Sequence, residues 1–103
     1  MATLYITEFL NSTPSGVGVP VGQYPAIARQ TVAIGGSSAQ SAQFNTKTTF
    51  VRVHTDSICS VLVDLVTNNP TATTADERLA ANQTEYFGIP YNSGMQLAVI
   101  SNS

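Results

Sequence analysis

His54, Asp56 and Ser57 are the residues whose types and spacing come nearest to a catalytic set. Residues two apart on a strand share a face, with Cα atoms about 7 Å apart, so His54 and Asp56 can form a His–carboxylate pair. Ser57 follows at the turn and, on a continuing strand, projects to the opposite face, which puts the would-be nucleophile in the wrong place. The plainer reading is a solvent-facing histidine beside a turn-forming aspartate. Cys59 is the lone cysteine, so no second thiol can close a disulfide within the chain, and His54 is the one histidine that could activate it. A small apolar residue on a buried strand accounts for Cys59 without any chemistry.

Other chemistries fare no better. One His and one Cys do not make the usual zinc sets. The acidic residues Glu8, Asp56, Asp64, Asp76, Glu77 and Glu85 are dispersed, and no oxygen-rich calcium loop surrounds the adjacent Asp76 and Glu77. Gly16-Val17-Gly18 does not open a helical pattern, and no G-x-x-x-x-G-K-[ST] occurs, so a phosphate cradle is unsupported. Gly35-Gly36-Ser37-Ser38 reads as an inter-strand turn. The expectation is a protein that is not an enzyme, with no catalytic, cofactor or metal site. Tyr5, Tyr24, Tyr86 and Tyr91 could stack on a sugar, or they could border the core of a β-sandwich.

The elements that must position these residues are strands. Ala2 to Leu10 alternates Leu4 and Ile6 with Thr3, Tyr5 and Thr7, and Thr49 to Thr55 alternates most clearly of all. Further strands are expected over 26–34, 39–45, 58–66, 78–80, 83–89 and 95–101, with a helical turn over 75–81 as the alternative for the sixth of these eight. On Ile58 to Val66, Cys59, Val61, Val63 and Leu65 share one apolar face, which suits a central strand. Seven or eight short antiparallel strands with regular turn signals predict an all-β chain, a single small β-sandwich or jelly-roll-like barrel spanning 1–103. Residues 11–25 stand apart. Pro14, Gly16, Gly18, Pro20, Gly22 and Pro25 exclude a helix or a central strand. Val17, Val19, Val21 and Tyr24 nevertheless make this an apolar stretch, read as an extended arm that contacts a partner or folds back on its own sheet.

Composition narrows the function classes. With 103 residues and 43% hydrophobic content the chain can build one core. Charged residues make up 10%, against about 25% in ordinary soluble proteins. Ser, Thr, Asn and Gln supply about a third of the chain. A surface of that kind carries little charge repulsion, which suits a life in an assembly. Arg29, Lys47, Arg52 and Arg78 are scattered, so no phosphate-tracking stripe forms and nucleic acid is not an expected partner. No apolar run is long enough to span a bilayer, and the first residues lack the pattern of a secretory signal, so synthesis in a cytoplasm without membrane association is expected.

Several stretches resemble a family of small virion structural proteins of tailed bacteriophages. They are Phe50 to Asp56, Cys59-Ser60-Val61, Asn69 to Thr73, Arg78 to Pro90 and Leu97 to Ile100, framework strands and turns covering roughly the C-terminal half. The resemblance implies a capsid decoration (cement) protein on the outer head surface of the virion, made in the host cytoplasm. Its partners would be the major capsid protein and itself, as a homo-oligomer (dimer or trimer). A head–tail completion, tail or fibre-base component, and a carbohydrate-binding module that takes a surface glycan, are the other roles it leaves open.

Overall fold

Strict alternation along a strand sends successive side chains to opposite faces, and here it converts the sequence directly into two packed sheets. A computed structural model of the chain describes residues 2–10, 12–14, 20–22 and 26–102. Among them are ten strands: β1 (Thr3–Phe9), β2 (Ser12–Pro14), β3 (Pro20–Gly22), β4 (Ala28–Ala33), β5 (Ala39–Gln40), β6 (Phe50–Thr55), β7 (Cys59–Leu65), β8 (Glu77–Leu79), β9 (Thr84–Gly88) and β10 (Met95–Ser101). Two antiparallel four-stranded sheets result, ordered β4-β1-β6-β9 and β5-β10-β7-β8, and β2 pairs with β3 in a separate ribbon. From β4 to β10 the chain changes sheet at nearly every connection, staying within one sheet only from β7 to β8. The chain is therefore an all-β sandwich of jelly-roll type.

The core lies between the sheets. Leu4 and Ile6 from β1, Val51 and Val53 from β6, Cys59 and Val61 from β7, and Leu97 and Val99 from β10 are each 3% exposed or less. On β7 the apolar face starts in the core and runs out of it, with Val63 half-buried and Leu65 exposed at the strand end. Phe44, Ile34 and Ile89 come from connections and join the same buried cluster.

One expected element differs. The strand foreseen over 39–45 stops at Gln40. Beyond it Ser41 N–H still donates to Leu97 O (2.7 Å), but the next link along β10 is Phe44 N–H to Met95 O (2.8 Å). The two residues between them are extruded, and Phe44 is thereby delivered to the core at 2% exposure. The strand expected at 78–80 forms as β8, in place of the alternative helical turn, because Leu79 opposite Cys59 has a buried place to fill. The turn before it is closed by Thr73 N–H donating to Asp76 Oδ2 (2.7 Å).

Polar side chains pin the long connections. Glu8 points inward at the end of β1, 2% exposed, and accepts Asn45 N–H (2.8 Å) and the Thr48 hydroxyl (2.7 Å). Residues 66–76 cross the outer face of the second sheet. Gln40 Nε2 donates to Pro70 O (2.8 Å), Ala72 N–H to Ser38 Oγ (2.8 Å) and Asn102 Nδ2 to Thr74 O (3.2 Å). Beneath this strap the outward-facing Ala98 and Ser60 are fully buried. Where the chain reverses, Asn69, Asn82, Asn92 and Gly94 take positive φ, the conformation that Asn and Gly adopt most readily.

Cys59 provides a test of this packing. Its thiol is fully buried and contacts Thr55 Oγ1 at 3.6 Å, and burial pushes its pKa up, so thiolate is scarce as well as shielded. Native protein is expected to react with a thiol reagent only as fast as it unfolds. Cys59→Ser should cost about 1–2 kcal/mol in chemical denaturation, at the lower end for a buried hydroxyl because Thr55 offers it a partner. Rapid labelling of the native state would reverse the assignment of strand faces.

Candidate functional site

Among the described residues no such strap crosses the other broad sheet face, the outer side of β4-β1-β6-β9, at Tyr5, Arg29 and Tyr86. Register places its side chains in rows: Thr31, Tyr5, His54 and Thr84 across one line, then Arg29, Thr7, Arg52 and Tyr86 across the next. Phe9 and Phe50 form the following row. Tyr5 and Tyr86 are 47% and 43% exposed, and Arg29, Thr31 and Thr84 are also exposed. Tyr5, Tyr86, Arg29 and Arg52 thus share a face with the single histidine, although they are spread over eighty residues of sequence.

The contacts within these rows are aromatic and cationic. Tyr86 stacks on Phe50 with ring centroids 5.5 Å apart and planes 15° apart, and Phe50 tilts against Phe9 at 6.1 Å. The Arg52 guanidinium carbon lies 5.8 Å from the Phe9 ring centroid, within cation–π range. Between β1 and β4 the face dips into an open depression of about 420 Å³ lined by Tyr5, Ile6, Thr7, Arg29, Gln30 and Thr31. A tyrosine ring, two threonine hydroxyls and a guanidinium can together meet a ligand that has both apolar faces and oxygen acceptors.

His54 belongs to this face and not to a triad. Its Nδ1 lies 2.8 Å from Thr84 Oγ1, and its ring is tilted beside Tyr5 at 6.3 Å. Asp56 is engaged elsewhere, with Oδ1 accepting Thr3 N–H (2.8 Å), and Ser57 N–H donates to Thr55 Oγ1 (3.1 Å). The turn aspartate thus ties down the start of β1. Asp76 caps its own turn, and Gly35 and Gly36 lie in an open bend with nothing within 4 Å of a built Cβ. Among the described residues no three His, Cys, Asp or Glu side chains converge into a metal-binding group. Tyr91, 65% exposed, sits in the β9–β10 connection and lies off this face.

Of the expected contact residues, Val17, Val19 and Tyr24 lie outside the described residues, and for Val21 only the backbone, within β3, is described. The ribbon's position is informative even so. β3 comes within 8 Å (Cα–Cα) of β6. Phe9, on the outer side of β1 opposite Phe50 of β6, is 1% exposed. Glu8 and the strap were not recognisable as structural anchors, because their role depends on which residues the fold brings beside them.

Fold and face together define a small jelly-roll-like sandwich with one sheet closed by its own chain and the other presenting an aromatic and cationic surface. Compared with known protein families, with characterised proteins and with solved structures, the chain has no match.

The two kinds of outward-facing residue should separate on mutation. Tyr5→Ser and Arg29→Ser, at exposed positions, are expected to change unfolding free energy by no more than about 0.5 kcal/mol each. Phe9→Ala, outward-facing but buried, should cost about 3–5 kcal/mol by urea denaturation. A large loss from the exposed pair would mean that their face is packed in the free protein.

Proposed function

We propose that this chain is a non-enzymatic structural protein of a tailed-phage virion, a decoration protein that binds the outer head surface and reinforces contacts between capsomers. The observation that carries this reading is the asymmetry of the sandwich. The β5-β10-β7-β8 sheet is sealed by residues 66–76, whereas the β4-β1-β6-β9 sheet presents Tyr5, Arg29 and Tyr86 to solvent. Aromatic residues and arginine are the side chains enriched in the centres of protein interfaces.

The resemblance of the framework stretches to small phage virion proteins supports the same reading. So does the architecture, since jelly rolls are common in capsid domains and equally in lectins. A chain with 10% charged residues resists self-association weakly, which suits a molecule held in many copies on a lattice, where modest contacts add up. The contact surface in this proposal is the sheet face bearing Tyr5, Arg29 and Tyr86, together with the 11–25 segment of the sequence, which carries Val17, Val19, Val21 and Tyr24. The partners are the major capsid protein and further copies of this chain, and the location is the virion.

A second reading rests on the depression beside Tyr5. A tyrosine flanked by Thr7, Thr31 and Arg29 offers a stacking surface and hydrogen-bonding groups for a surface glycan. A glycan array probed with purified protein supports that reading if Tyr5→Ser abolishes the signal.

Co-sedimentation tests the leading proposal. Purified protein is expected to pellet with mature capsids and to bind isolated coat subunits far less. Tyr5→Ser combined with Arg29→Ser should lower capsid affinity by about tenfold or more, the effect of losing one interfacial anchor. Replacing Val17, Val19 and Val21 together by Ser tests the share of the 11–25 segment, with thermal unfolding of the free protein as the control. Equal binding to capsids and coat subunits overturns the decoration role. A copy number per particle that matches a ring and not the capsid lattice would move the protein to the tail or connector.

A further inference from the structure

An unpaired sheet edge is a ready template for another strand, and proteins blunt such edges unless they use them. Four edges exist in the two sheets. β5 and β8 are only two and three residues long. β4 is bridged by the Gln30 carboxamide, whose Oε1 accepts Ala42 N–H (2.9 Å) while its Nε2 donates to Ala42 O (3.4 Å). β9 differs from all three. It is five residues of TEYFG with no proline and no lysine, and Glu85, its one charge, points inward and is half-buried.

The ladder shows which of its groups are unpaired. Thr55 N–H donates to Gln83 O (3.1 Å) and Ile89 N–H to Thr49 O (2.9 Å), at either end of the β6–β9 pairing. Antiparallel alternation then turns the main-chain groups of Glu85 and Phe87 toward β6, and those of Thr84, Tyr86 and Gly88 away from the sheet. Tyr86 N–H meets only Glu85 Oε1, at 3.3 Å, longer than the usual charge-assisted bond.

We propose that β9 pairs antiparallel with β9 of a second copy about a two-fold axis at Tyr86, joining two four-stranded sheets into one continuous sheet. The strand is self-complementary in that register. Tyr86 meets the second copy's Tyr86, and Thr84 lies opposite Gly88, where a side chain is absent and space is open. Glu85 lies opposite Phe87, so no two carboxylates face each other. An isologous contact of this kind closes at a dimer. The dimer displays two copies of the Tyr5–Arg29 face on one side, which deepens the capsid-binding proposal by making each unit bivalent, yet the pairing itself needs no capsid.

Sedimentation velocity on the full chain, from about 1 µM to about 1 mM, spans the range in which such contacts dissociate. The wild type is expected to shift from monomer to dimer, with the Tyr86 and Gly88 amides exchanging more slowly as dimer forms. Tyr86→Pro removes an edge-facing N–H and leaves the β6 ladder intact, and Gly88→Lys places a charge at the contact. Each should weaken dimerisation at least about tenfold while far-UV circular dichroism stays that of the wild type. If Tyr86→Pro does not fold, Gly88→Lys decides. A wild type monomeric throughout, or folded variants that dimerise as well as it does, overturns the proposal. Because only purified protein is used, that result leaves capsid binding standing, and a failure of capsid binding leaves the dimer standing.

Discussion

Burial of β1 and β6 against β7 and β10 is the contact on which everything else in this molecule depends. Each of these strands has a neighbour on both edges, so their main-chain groups are paired and their inner side chains can be taken out of water together. Eight side chains from these strands make the centre of the core, each worth about 1.5–3 kcal/mol by area. With one cysteine and hence no internal disulfide to restrict the unfolded chain, the sandwich stands on the fit of these two strand pairs.

The connections are then fixed by uncharged polar groups. Gln30, Gln40, Gln96 and Asn102 each reach across to main-chain carbonyls, Gln30 accepting an N–H as well. A carboxamide donates and accepts at one site, so it can stand in for a missing rung of a sheet where a lysine or a lone carboxylate cannot. Such contacts carry no net charge and are insensitive to ionic strength, unlike surface ion pairs. The high content of Asn, Gln, Ser and Thr is thereby partly explained as structure. Carboxylates act beside these groups, Asp56 and Asp76 at turns and Glu8 in the interior, where it is satisfied by an amide and a hydroxyl that hold the 45–48 turn to β1.

The same economy produces the asymmetry between the two outer faces. Residues 66–76 are long enough to cross β7, β10 and β5, and their anchors to Ser38, Gln40 and Asn102 make that crossing specific. No comparable hydrogen-bonded strap crosses Tyr5, Arg29 and Tyr86 among the described residues. The binding surface proposed for this protein is a sheet face, rigid because its strands are fixed from behind by the core, and its groups are held in register without the entropy cost of ordering loops.

The sequence by itself determined the strands whose two faces differ most. Val51 and Val53 alternate with Arg52 and His54, and only a strand with one side in a core satisfies that order, so β6 was legible from period alone, as was the apolar face of β7. Parity on a strand likewise separates Ser57 from His54 and Asp56, and in the structure His54 meets Thr84 while Asp56 meets the Thr3 amide. Tertiary structure alone decided where each outward face goes. Parity says that Phe9 points away from Leu4 but not that it is covered, and Ala98 reads as a surface residue until the strap crosses it. Residues 41–45 have a strand's composition, yet the demand for Phe44 in the core extrudes two residues and ends the ladder. Tyr5 and Tyr86 become one surface only because β6 lies between their strands, a pairing made by contacts between residues far apart in the chain, which no local pattern encodes.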